Sequence, residues 1–142
     1  MKPVGYLPQL VTVLLVSLAA AAQSPRGFPL DQRFIAASLN GESFGGRAPT
    51  ILVKADSSRQ ALRGTGFAGC NSWFGQITLG QRQFSVGGLG TTKMFCADRM
   101  AEESRFLNAL KLASRWRMDG ANLVLEGDSM RLVLLPEMIR KP

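Results

Sequence analysis

The sequence predicts a mostly β, α+β domain: a small antiparallel barrel or strongly curved sheet of about eight strands with one helix packed on it. Three observations carry this expectation. Most of the chain reads as short segments of alternating polarity punctuated by Gly, Asn and Asp turn signals. One stretch, Arg99 to about Ala113, has no Gly or Pro and shifts the apolar period from two to 3.6. The links between the alternating segments are short, whereas a parallel crossover needs about a dozen residues or more, so the pairing is antiparallel.

In chain order, residues 1–22 read as a secretory signal peptide. Lys2 precedes an apolar run, Leu10 to Ala20, interrupted only by Thr12 and Ser17, and Ala20-Ala21-Ala22 offers small residues for cleavage after Ala22. The run is about half the ~20 residues a spanning helix needs, so no transmembrane segment is expected after cleavage. No cysteine follows it to accept lipid, and the expected location is the periplasm or the medium. Cleavage leaves 120 of the 142 residues and, with Lys2 lost, lowers the net charge from +7 to +6.

Residues 23–30 form a short arm with two prolines, Pro25 and Pro29, and the domain is expected to occupy 31–136 with a tail over 137–142. Phe34–Leu39 is the first strand, ended by the hairpin signal Asn40-Gly41. Ile51–Ala55 pairs with Gln60–Thr65 across Asp56-Ser57-Ser58. Ser72–Leu79 places Trp73, Ile77 and Leu79 on one face. Gln83–Val86 and Thr91–Phe95 follow as two strands separated by a flexible Gly87–Gly90. Asp98 is a credible N-cap for the helix, whose core arc holds Met100, Phe106, Leu107, Leu110 and Ala113, with Arg105 away from its centre. Arg115–Met118 and Asn122–Glu126 flank the turn Asp119-Gly120, and Arg131–Leu135 closes the fold with a run, Leu132 to Leu135, expected to be fully buried.

Composition excludes several functions. The absence of histidine removes Ser-His-Asp and Cys-His nucleophiles and His-ligated zinc, and neither a metal nor another cofactor is expected. The basic residues are scattered singly, from Arg33 and Arg47 to Lys93 and Arg99, so nucleic acid is not the expected partner; attraction to an anionic envelope surface fits better. Gly64-Thr65-Gly66-Phe67-Ala68-Gly69 matches G-x-G-x-x-G literally, but a strand rather than a helix follows it, which removes its phosphate-binding logic. In an exported chain the two cysteines, Cys70 and Cys96, are most simply a disulfide; a redox pair is the alternative, with a spacing unlike C-x-x-C. Glu103 falls inside the apolar arc of the helix, where a carboxylate needs hydrogen-bond donors, an arginine or a raised pKa. A general acid or base there lacks a visible second carboxylate or nucleophile.

Four segments carry a resemblance to a known family. Gly66-Phe67-Ala68-Gly69-Cys70-Asn71 with Gly75 resembles the G-x-x-G-C-N-x-x-x-G signature of the META/HslJ-like domain. Thr91-Thr92-Lys93-Met94-Phe95-Cys96 is similar to its T-x-M-x-C segment, and Glu103 to Leu110, with Phe106 and Leu107, to its E-x-x-F-L-x-A-L helix. Asp119 to Leu125 fits the closing G-x-x-L-x-L hairpin. Phe34 stands where the family commonly has tryptophan, and Ala97-Asp98 replaces the usual proline after the second cysteine.

The resemblance implies a compact β-rich envelope domain loosely linked to heat stress, antibiotic tolerance and virulence, with no established catalytic mechanism. Its motif positions, Thr91 and Met94 included, come across as structural ones: Asn71 as a turn or hydrogen-bonding residue, Thr91 at a strand edge. The expected function is therefore a non-enzymatic exported protein acting through an envelope protein or an anionic surface, with a small-ligand or lipid-binding barrel as the alternative.

Overall fold

In a computed structural model, residues 27–59 and 61–138 are described, together with Pro3 and Gly5. The signal segment expected over 1–22 otherwise lies outside the described residues, as do 23–26 of the arm, Gln60 and 139–142 of the tail. The elements are β1 (Arg33–Leu39), β2 (Glu42–Ser43), β3 (Thr50–Asp56), β4 (Ala61–Phe67), β5 (Ser72–Leu79), β6 (Phe84–Thr91), α1 (Met100–Leu112), β7 (Arg115–Asp119), β8 (Asn122–Glu126) and β9 (Arg131–Pro136). The strands form one antiparallel sheet in the order β6-β5-β4-β3-β1-β9-β8-β7, with β2 folding back on β1.

The sheet curls until its two edges meet at one end. The Phe84 N–H donates to Ser114 O at 3.1 Å, and the Trp116 N–H donates to Arg82 O at 2.9 Å. The result is a half-barrel, and α1 is the connection between its two edge strands. Alternation decides which residues face inward: Phe34, Ile51, Val53, Trp73 and Ile77 from one half of the sheet, Leu123, Leu125, Leu132 and Leu134 from the other. The buried face of α1 supplies Phe106, Ala109 and Leu110 to the same cluster, with the Trp73 and Phe106 rings 6.3 Å apart, edge to face. Trp116 is buried with Arg115 and Arg117 on the opposite face.

Several sequence expectations are corrected. A single strand, β6, runs through Gly87–Gly90 where a flexible link between two strands was expected. The glycines are held because β5 supplies a ladder, pairing Gln76 with Gly87 and Phe74 with Gly90. Thr92–Phe95 is not a strand, because the peptide groups of Met94 bond to a side chain instead. Asp98 does not cap the helix. The Arg99 N–H donates to Cys96 O, which puts Asp98 inside a turn, and Arg99 occupies the N-cap without a side-chain cap bond. The run in β9 alternates rather than being wholly buried, and Leu135 is 45% exposed. Met100 and Leu107 are only half-buried, with Glu103 and Ala109 taking the centre of the buried face.

Candidate functional site

The buried polar chemistry of the fold gathers where the β4–β5 turn meets the first turn of α1. Gly69 makes that approach possible: its φ is +132°, and a Cβ there would lie 3.1 Å from the Glu103 amide nitrogen. The turn closes on itself through the Ala68 N–H to Asn71 O at 2.8 Å. Glu103, 4% exposed, then reaches from the helix into the turn. Its Oε2 accepts the backbone N–H groups of Cys70 at 3.0 Å and Asn71 at 2.6 Å, and its Oε1 accepts Asn71 Nδ2 at 2.9 Å.

Burial acts to raise the Glu103 pKa. The Asn71 backbone and side-chain amides, the Cys70 amide and the nearby Lys93 charge outweigh it and hold the carboxyl below its ordinary value. The side chain is an ionised carboxylate in a closed setting, and no arginine is needed to keep it so.

Asn71 passes the order on to the next loop. Its Nδ2 also donates to Met94 O at 3.0 Å, while its Oδ1 accepts the Met94 N–H at 2.6 Å and the Thr92 hydroxyl at 2.9 Å. Thr92 Oγ1 in turn accepts the Ser72 N–H at 3.1 Å. The disulfide Cys70–Cys96, with Cα atoms 5.9 Å apart, binds the same two segments covalently. Among the described residues, every buried side-chain N or O atom has a partner.

The sequence-singled residues divide accordingly. Gly69, Cys70, Asn71, Cys96 and Glu103 come together at one point. Gly66 stands nearby, where a Cβ would fall 1.9 Å from Thr50 O; its bareness lets the Trp73 indole N–H donate to Thr50 O at 2.9 Å. Gly75 lies opposite Gly64 in the β4–β5 ladder, and Phe106, Leu107 and Leu110 sit on the core side of α1. Met94 enters the network through its backbone only, its side chain being 59% exposed.

Thr91 ends β6 opposite Trp73, so the hydroxyl on Asn71 belongs to Thr92. Counting the T-x-M-x-C spacing back from Cys96 lands on Thr92, and that count was the available signal. Sequence reasoning also missed two arginines, one at the helix N-cap and one within α1, that staple β2 and the loop after it. Arg99 donates to Gly45 O at 2.8 Å, to Arg47 O at 2.6 Å and to Gly69 O at 3.2 Å. Arg105 donates to Glu42 O at 2.8 Å and lies 4.6 Å over the Phe44 ring. Phe95, expected to end a strand, stands 81% exposed between Met94 and Cys96.

The concavities described lie on the outer surface. One groove of about 540 Å³ includes Arg33, Arg47, Ile35, Leu52, Phe67 and Met94 in its walls. Another, of about 340 Å³, has Arg59, Arg63 and Phe74 in its lining. Among the described residues, no group of three His, Cys, Asp or Glu is placed to hold a metal ion, and no helix is long and apolar enough to cross a membrane.

Comparison with known proteins agrees with this architecture. No curated protein sequence matches the chain. Two NMR structures share the fold. One is of a protein from Burkholderia xenovorans, with a TM-score of 0.62 and 22% identity over 78% of this chain and 84% of that one. The other has a TM-score of 0.57 and 22% identity over 79% of this chain and 93% of that one. At such identity the likeness speaks of fold alone. The META domain family model matches residues 29–138, a span that holds the turn, the disulfide loop and the helix carboxylate together. The chain belongs to the META domain family.

Proposed function

We propose that this is an exported, non-enzymatic META-domain protein that supports the envelope under heat or antibiotic stress through contacts with an envelope protein or surface. One observation carries the reading. The buried Glu103–Asn71 network and the disulfide are spent on holding a short loop that shows Met94 and Phe95 to solvent. The polar groups most suited to chemistry serve presentation of a surface. The inward space that a ligand-binding barrel would need is filled by Trp73, Phe34, Phe84, Phe106 and the leucines around them, which speaks against that alternative.

Affinity capture of the tagged protein from envelope fractions, with and without heat or drug stress, tests the reading. A stress-dependent envelope component lost with Phe95→Ser supports it. A catalytic turnover abolished by Glu103→Gln, with the fold intact, would replace it with a hydrolase. Mass spectrometry of exported material should show a chain starting at Gln23 and two hydrogens lighter than the dithiol; two free thiols would refute the disulfide, and an uncleaved chain the signal peptide.

A further inference from the structure

The side chains left exposed around the larger groove have a pattern of their own. Phe95 is 81% exposed, Met94 59% and Met138 83%. Met94 and Glu137 line that groove, and Phe95 and Met138 follow them directly in the chain. Its floor is the outward side of β1, β3 and β4, where half-buried Ile35, Leu52 and Phe67 take the positions that polar residues usually hold. Arg33 and Arg47 line it, with Arg47 4.4 Å over the Phe67 ring, and Lys93 precedes Met94 in the loop. Glu137 is the carboxylate in the lining, and it is 3.5 Å from Arg33.

Protruding apolar side chains around a shallow cationic depression suit a soft anionic surface better than a rigid partner. The protrusions can sink into it, while the cations meet its phosphates. The tip is also fixed in advance. The Met94 peptide is bonded on both sides to Asn71, and Cys96 is bridged to Cys70, so little order remains to be imposed on binding.

We infer that this face docks on an anionic phospholipid surface, Phe95 and Met94 entering the headgroup–acyl boundary while Arg47, Lys93 and Arg33 contact lipid phosphates. The inference rests on the surface-contact reading above and names the surface.

The test is vesicle co-sedimentation of the purified protein, disulfide intact, with phosphatidylglycerol-containing and with pure phosphatidylcholine vesicles. The expected result is binding to the anionic vesicles that weakens with salt. Phe95→Ser should cut it by about tenfold or more. Arg47→Gln should cut it by about fivefold. Both positions are exposed, and circular dichroism checks that the fold is kept. Binding to neither vesicle, equal binding to both, or binding untouched by both variants overturns the inference; the last would mark attachment through another segment. Phe95-dependent capture of an envelope protein without vesicle binding overturns the lipid assignment and keeps the surface-contact reading. Failure of both experiments removes both.

Discussion

Replacing Glu103 with glutamine is nearly isosteric and removes one charge, which makes it a sharp test of the buried network. In the wild type, three N–H donors converge on the carboxylate, from the Cys70 and Asn71 backbones and from Asn71 Nδ2. A carboxamide has one accepting oxygen. If that oxygen takes the two backbone donors at the Oε2 position, its NH2 group faces the Asn71 NH2. Asn71 cannot turn to relieve the clash, because its Oδ1 is already fixed by the Met94 N–H and the Thr92 hydroxyl. At least one buried donor is orphaned, and the remaining bonds lose the strength that the charge lends them. Together these cost about 2–4 kcal/mol.

For a domain of this size that lowers the urea midpoint by about 1–3 M, taking m as about 1.5 kcal/mol/M. The pH dependence adds a second readout. Because the folded pKa lies below the unfolded value of about 4.3, the carboxylate's contribution is fully present above that pH. It is lost as pH falls through the folded pKa. The gap between wild type and Glu103→Gln should therefore be widest near pH 7 and close as the pH drops below about 4. A difference under about 0.5 kcal/mol at pH 7, or a gap that widens in acid, refutes the structural account of Glu103.

Three further measurements probe the same site. Removing the disulfide with Cys70→Ala and Cys96→Ala, 26 residues apart, should cost about 3–4 kcal/mol in urea unfolding, and an unchanged midpoint would contradict it. Gly66→Ala puts a methyl group on Thr50 O and should destabilise by about 2 kcal/mol or more, whereas Gly87→Ala meets nothing within 4 Å and should stay within about 0.5 kcal/mol. Equal effects at the two glycines would show that strand propensity, and not crowding, sets the cost. Thr92→Val should lose about 1–2 kcal/mol by thermal or urea melting while Thr91→Val is near neutral; the reverse order would return the role to Thr91.

Legibility in the sequence followed the reach of the forces involved. Alternation along Ser72–Leu79 gave β5 its full length, because each inward residue responds to a single buried face. Glu103 could be picked out by helical angle alone, since a carboxylate on an apolar arc is a local contradiction. Its donors could not be found that way; they belong to a turn 32 and 33 residues earlier. The Gly87–Gly90 run read as a linker because its own propensity is poor, and the ladder that overrides it comes from β5. Asp98 has the right chemistry for a cap, yet Arg99 takes the position while its side chain ties down two other loops. Arginine staples leave no periodic trace, so Arg99 and Arg105 stayed hidden among dispersed charges.

The order of the strands has a kinetic side. β9, the last strand, lies between β1, the first, and β8, with Phe34 paired to Pro136 at one end of that ladder. Each half of the sheet is built from strands adjacent in the chain, but joining the halves at β1 and β9 closes a loop of about a hundred residues, a slow step whose entropy is lost before the new contacts repay it. A nascent chain lacking its final residues has an open seam down the middle of its sheet. Closure of the seam therefore waits for β9, and a delay between forming the two halves and joining them is written into the topology.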